Sequence, residues 1–137
     1  MGKLNVLFEN LLHDDPSQIK HRTRLRFNRA TFNNLKYKYN QIESPICDQC
    51  DYELDQTSYH ILANCPTFNE HREKLKHILH LSPFRFKMDF INNNFFQLCL
   101  GELQSLINNK SFSSSTIKQF FSVTASFLSH IYSVIRY

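Results

Sequence analysis

Leu4, Leu7, Phe8, Leu11 and Leu12 fall at helical spacing, which predicts an amphipathic helix over residues 3–13. Asp14-Asp15-Pro16-Ser17 reads as a stop followed by a new start. Ser17 is the expected N-cap of a helix beginning at Gln18. That helix carries Ile19, Arg22, Arg26 and Arg29 along one band, Leu25 and Phe27 elsewhere, and breaks near Asn28. Thr31 is placed to cap a further helical stretch through Phe32, Leu35, Tyr37 and Tyr39, and residues 41–45 form a loop.

Thr57 is the expected N-cap of a short helix over Ser58–Ala63, and Pro66 either ends it or opens the next one. Thr67–His80 follows as a longer helix with Phe68, Leu75, Ile78 and Leu79 inward and a charged face of Glu70, Arg72, Glu73, Lys74 and Lys76 outward. Pro83 closes it. Residues 84–94 fit no single pattern, and Asn92-Asn93-Asn94 predicts a turn. Residues 95–107 are expected to be helical and 110–115 a polar linker. The longest helix is predicted over Thr116–Arg136, with Ile117, Phe120, Phe121, Phe127, Leu128, Ile131, Val134 and Ile135 on or near one face.

Composition agrees with a helical reading. The chain has 13 Phe and 6 Tyr but only 2 Gly, too few turn glycines for a β-sandwich. Its 137 residues suffice for one domain with one core, and 42% hydrophobic and 20% charged residues are those of a soluble globular protein. No apolar run reaches the length of about 18 residues that spans a bilayer. The first residues include Glu9 and no small-residue cleavage site, so they do not read as a signal peptide. The expectation is an intracellular, reducing compartment, in which cysteines hold metal more often than each other.

Three of the four cysteines lie in CDQCDYELDQTSYHILANC, with the spacing Cys47-x2-Cys50-x9-His60-x4-Cys65. A C-x-x-C turn brings two thiolates to one side of a tight loop, where both can reach an ion at about 2.3 Å. His60 and Cys65, on and just after a short helix, can complete a tetrahedron. Three sulfurs and one nitrogen suit Zn2+, and four protein ligands leave no place for an activated water, so such a site is structural. The segment 44–57 has almost no aliphatic side chains. Zinc binding worth about 10–16 kcal/mol would order it. The alternatives are disulfides, which leave His60 unexplained, and reduced cysteines clustered by chance. A redox C-x-x-C would need a βαβ context that is not visible. His71, His77 and His80 are alternative ligands, with exposed helix histidines as the plainer reading. Cys99, inside an apolar run, is expected to be a small buried hydrophobe.

Charge adds a second feature. Residues 1–45 carry eight Lys/Arg against four Asp/Glu, residues 46–100 five against seven, and residues 101–137 three against one. Between Lys20 and Lys38 there is no acid at all.

These residues resemble a known family. Arg22-Thr23-Arg24-Leu25-Arg26, then Cys47-x2-Cys50, then Thr57-x2-His60-Ile61-Leu62-x2-Cys65-Pro66 and Arg72-x2-Leu75 look like the segment C-terminal to the reverse transcriptase in non-LTR, LINE-type retrotransposon polyproteins. In that family a Cys-Cys-His-Cys zinc knuckle follows an Arg-rich stretch, and a Cys-Pro pair leads into a helix bearing Arg. Leu100-Gly101, Ser126-Phe127-Leu128-x2-Ile131 and Arg136 are similar to the closing helix, so the likeness covers roughly residues 20–137. Asp51 stands where the family often has Gly, and the gap of nine residues before His60 is longer than usual. There is no Tyr-x-Asp-Asp polymerase motif and no acidic set for nuclease chemistry. The resemblance implies a nucleic-acid-binding accessory domain without catalysis, and by analogy the nucleus.

The resulting expectation is a mainly α, single small domain over residues 1–137. It comprises a basic helical segment 1–45, a zinc knuckle 46–66 and a helical segment 67–137, stapled by one structural zinc on Cys47, Cys50, His60 and Cys65. RNA, with DNA as the second candidate, is expected on Lys20, Arg22, Arg24, Arg26, Arg29, Lys36, Tyr37 and Lys38, the cations releasing counterions from phosphate and tyrosine stacking on unpaired bases. One competing expectation is that these arginines pair with Asp48, Asp51, Glu53 and Asp55 of the knuckle. Another is an assembly subunit that docks into a larger protein complex without touching nucleic acid, through its aromatic helices. Neither a membrane nor a small-molecule substrate is expected, and a four-ligand site argues against an enzyme.

Overall fold

In the computed structural model, the described residues are 14–27, 29–106 and 112–136. The helix expected over residues 3–13 lies outside them. The order of elements is α1 (Pro16–Arg26), α2 (Asn33–Lys38), a π-helical segment (His60–Asn64), a 3-10 turn (Pro66–Phe68), α3 (Asn69–His80), α4 (Met88–Cys99), α5 (Leu103–Leu106) and α6 (Ser114–Ile135). The described residues contain no strand, only an isolated antiparallel bridge between Ile46 and Asp55. The fold is mainly α, as expected.

α3, α4 and α6 pack against one another, and the π-helical segment rests on α3 and α4. Phenylalanine fills the space between them. Phe84 meets Phe120 edge-on, and Phe95 meets Phe127 in the same way. Such crossings place the positive ring edge against the negative face of its neighbour. Ile61, Leu62, Leu79, Ile91, Leu98 and Ile131 complete the dry centre.

Helix ends differ from the expectations for identifiable reasons. α1 is capped by Asp15, whose carboxylate accepts from Gln18 N–H at 2.8 Å, with Pro16 as the first helical residue; Ser17 is not the cap. α2 starts after Phe32 rather than at a Thr31 cap. α4 runs through Asn92 and Asn93 where a turn was expected, with one non-helical residue, Asn94 (φ −124°, ψ 18°). It stops at Cys99, short of residue 107. Gly101 (φ 80°) takes the left-handed position, its N–H bonding to Leu98 O at 3.1 Å while Glu102 N–H reaches Gln97 O at 3.1 Å. That pairing closes the helix and frees the chain to restart in α5. α6 begins at Ser114, with the Ser113 hydroxyl accepting from Thr116 N–H at 3.1 Å.

Three inward–outward assignments reverse. Ile78, expected inside α3, is 42% exposed. Arg72, expected on its solvated face, is buried. Val134 on α6 is also exposed.

Candidate metal centre

The metal loop is closed at its base by backbone bonds. Cys47 N–H donates to Leu54 O at 2.8 Å and Gln56 N–H to Pro45 O at 2.9 Å, on either side of the Ile46–Asp55 bridge. Inside that frame Gln49 N–H points at Cys47 Sγ at 3.4 Å, so the C-x-x-C turn already offers a backbone donor to a thiolate. Gln56 adds its Nε2 at 3.6 Å from the same sulfur.

Gln56 also ties the loop to α2. Its side-chain oxygen accepts from Asn33 N–H at 2.9 Å and its carbonyl from Asn34 N–H at 3.2 Å, while Asn33 Nδ2 holds Ile46 O at 2.9 Å. The first amides of α2, which lack a local side-chain cap, are thus satisfied by the metal loop. Asn33 and Gln56 are both buried. Neither is legible in the sequence as part of the site, because the contact spans 23 positions.

The second pair of donors comes from the π-helical segment. Thr57 Oγ1 accepts from His60 N–H at 3.0 Å, the cap expected of it. The helix then widens, and Cys65 N–H bonds to His60 O at 2.6 Å, five residues back. In an α-helix, residues five apart lie on different faces. A π turn stacks them, so His60 and Cys65 can reach one ion. Pro66 then opens the 3-10 turn. Thr67 Oγ1 donates to Gln49 O, linking the two halves of the site.

Arg72 holds this turn from behind. Its Nε donates to Leu62 O at 2.9 Å, and its Nη2 to Ile61 O at 3.2 Å and Cys65 O at 2.9 Å. These carbonyls surround the stretch between the two ligands. A guanidinium here satisfies the open C-terminal end of the π turn.

One donor atom from each of Cys47, Cys50, His60 and Cys65 lies within 4.8 Å of every other. Tetrahedral zinc with bonds of about 2.3 Å separates its donors by about 3.8 Å, so small adjustments would close the set on an ion. His60 Nε2 already sits 3.4 Å from Cys50 Sγ. All four cysteines are free thiols, and Cys47, His60 and Cys65 are buried. Burial, with a smaller contribution from Arg72, lowers the His60 pKa and favours the neutral imidazole that binds metal. Burial pushes the Cys65 thiol up to about 11 in the metal-free chain, so metal uptake at neutral pH displaces its proton. Cys47, Cys50, His60 and Cys65 can therefore hold a metal ion. His71 stacks instead on His130 of α6, with ring centroids 3.5 Å apart, and His80 Nδ1 lies 2.8 Å from Phe86 O. His77 is exposed on α3 and outside the cluster. Cys99 is the buried hydrophobe expected of it.

The residues expected to touch nucleic acid divide into two sets. Arg22 is fully buried. Its guanidinium donates to Cys99 O at 2.7 Å, Phe121 O at 3.0 Å and Thr124 Oγ1 at 2.9 Å, and pairs with Asp14 at 2.7 Å. The Arg26 side chain is 2% exposed, bonds to Leu100 O and lies 4.0 Å from Glu102. Both arginines serve the C-terminal end of α4, where carbonyls lack helical partners and the helix dipole favours a cation. Assigning them to phosphate is therefore incorrect.

The other set faces water. Lys20, Arg29 and Lys38 are exposed, Arg24 and Lys36 half-buried. Tyr37 is 48% and Tyr39 53% exposed. No ion pair among the described residues joins this set to Asp48, Asp51, Glu53 or Asp55. No helix among the described residues is long and apolar enough to cross a membrane. Comparison with protein-family models, curated proteins and solved structures gives no match.

Proposed function

We propose that this chain is a zinc-stapled nucleic-acid-binding module of the kind that follows the reverse transcriptase in LINE-type polyproteins. RNA is its first ligand and DNA the alternative. The observation that carries the reading is the set of exposed or half-buried side chains on α1, on α2 and in the turns after them: Lys20, Arg24, Arg29, Lys36 and Lys38 with Tyr37 and Tyr39 among them, with no ion pair to Asp48, Asp51, Glu53 or Asp55. Cations of this kind exchange counterions for phosphate, and exposed tyrosines offer faces to unpaired bases. Three thiolates and an imidazole favour zinc over harder cations, and the ion's role is structural because the protein supplies all four ligands. The thiol chemistry calls for a reducing compartment, and the retrotransposon resemblance for the nucleus.

The test is a titration of zinc-loaded protein into a labelled single-stranded RNA and a labelled hairpin at several salt concentrations. Micromolar or tighter binding that weakens steeply with salt is expected. A Lys20→Ala, Arg24→Ala variant should bind about tenfold more weakly with an unchanged melting curve. Absence of binding at low salt would overturn the reading.

A further inference from the structure

The surface around the metal loop has the opposite character to that of α1 and α2. Residues 39–71 contain no Lys or Arg but six Asp/Glu. A zinc ion on three thiolates would add one further negative charge. Nucleic acid is repelled here.

The loop also presents apolar side chains to water. Asp51, Tyr52, Glu53, Leu54 and Asp55 are five consecutive exposed residues, with Tyr52 at 60% and Leu54 at 48%. Ile46, bridged to Asp55, is exposed as well. This tip is not a loose strap. Leu54 O accepts from Cys47 N–H at 2.8 Å, so the backbone of Leu54 is fixed beside a metal ligand while its side chain points outward. Glu53 holds a left-handed conformation (φ 57°) uncommon outside glycine, between the two apolar residues. Tyr52 and Leu54 are thus displayed on a frame that the metal centre anchors, and ordering them on binding costs less than ordering a free loop.

We propose that the tip formed by residues 51–55 is a docking surface for a cationic protein segment that carries aliphatic side chains. Tyr52 and Leu54 pack against its aliphatic groups, and Asp51, Glu53 and Asp55 pair with its Lys and Arg. Charge complementarity selects this occupant, since the tip offers three carboxylates and residues 39–71 carry no Lys or Arg. The proposed surface uses none of the cations of α1 and α2, and the proposal stands whether or not those cations bind nucleic acid.

The test uses the full, metal-loaded chain and two synthetic peptides of equal charge, one alternating arginine with leucine, the other arginine with glycine. Fluorescence anisotropy should show the leucine peptide binding at least about tenfold more tightly. A Tyr52→Ser, Leu54→Ser variant should lose that preference. An Asp51→Asn, Glu53→Gln, Asp55→Asn variant should weaken both peptides, with metal content and melting curve unchanged in each variant. RNA affinity should not fall in either one. Equal binding of the two peptides, an undiminished preference in the Tyr52/Leu54 variant, loss in either variant of RNA binding that the parent chain shows, or self-association of the chain through these residues would each overturn the proposal.

Discussion

A guanidinium carries five N–H donors in a rigid fork, so one arginine can hold several carbonyls at once. Arg72 does so for Ile61, Leu62 and Cys65, and Arg22 for Cys99 and Phe121. Truncating Arg72 leaves buried carbonyls without donors, and Arg72→Ala should destabilise the fold by about 3 kcal/mol in thermal or denaturant melts. Because those carbonyls flank His60 and Cys65, metal affinity in a chelator competition should fall about 10–100-fold as well. Arg72→Lys should rescue little, since an ammonium cannot span the same fork. Arg24→Ala, by contrast, should stay within about 0.5 kcal/mol of the parent. The four candidate metal ligands are legible in the sequence because their spacing records a local turn and a single short helix. Arg72 is not, because Glu70, Glu73 and Lys74 around it make its helix face look solvated. Arg22 and Arg26 mislead for the same reason: the residue that suits phosphate also suits a helix C-terminus, and sequence position alone does not separate the two.

Among the elements, the π turn has the most consequence for the site. An ordinary helix over residues 58–63 would have pointed Cys65 away from His60, and the one-residue widening corrects this. No apolar periodicity reports it, because Ile61 and Leu62 are adjacent and both buried. Likewise α4 outlasts its three asparagines because Ile91, Phe95 and Leu98 bury against α3 and α6, which overrides a weak local preference. Stripping the metal with a chelator should therefore abolish hydrogen-exchange protection across residues 45–66 while amides of α3, α4 and α6 stay protected. Equal loss throughout would mean the core depends on the metal too. The α3–α6 contact should have its own pH response. Burial first, then His71 and Lys74, lower the pKa of His130 in the folded chain. A group whose folded pKa is depressed binds protons more readily when unfolded, so its stabilisation is complete above the usual histidine range and is lost as pH falls through the lowered value. His21 and His60 are shifted the same way, chiefly by burial. The melting temperature should drop as pH is lowered from 7 towards 5, and His130→Asn should make that drop shallower. An identical pH profile in that variant would remove the stacked pair as a contributor.

At the scale of the whole molecule, charge is partitioned along the chain: cations from Lys20 to Lys38, and none from there until Arg72. That partition is visible in the sequence, but its magnitude as a binding surface is not, because two of the arginines point inward. Lys20, Arg24, Arg29, Lys36 and Lys38 stay at least partly exposed, and these are the cations that the proposed function gives to phosphate. The arithmetic of counterion release then bounds the salt dependence. Each phosphate neutralised on a single strand contributes about 0.7 to the slope of log K against log salt, so five cations give a slope no steeper than about −3.5. Had Arg22 and Arg26 taken part, the limit would be near −4.9. Measured slopes on a single-stranded RNA should accordingly fall at or below the smaller magnitude. Arg24→Ala should reduce the slope by about 0.7, whereas an Arg22 substitution should change the melting curve first. A slope steeper than the five-cation limit would show that cations outside α1 and α2 reach the strand. Candidates would be Lys118 on α6 or Lys74 and Lys76 on α3, and the basic face would then be wider than these two helices.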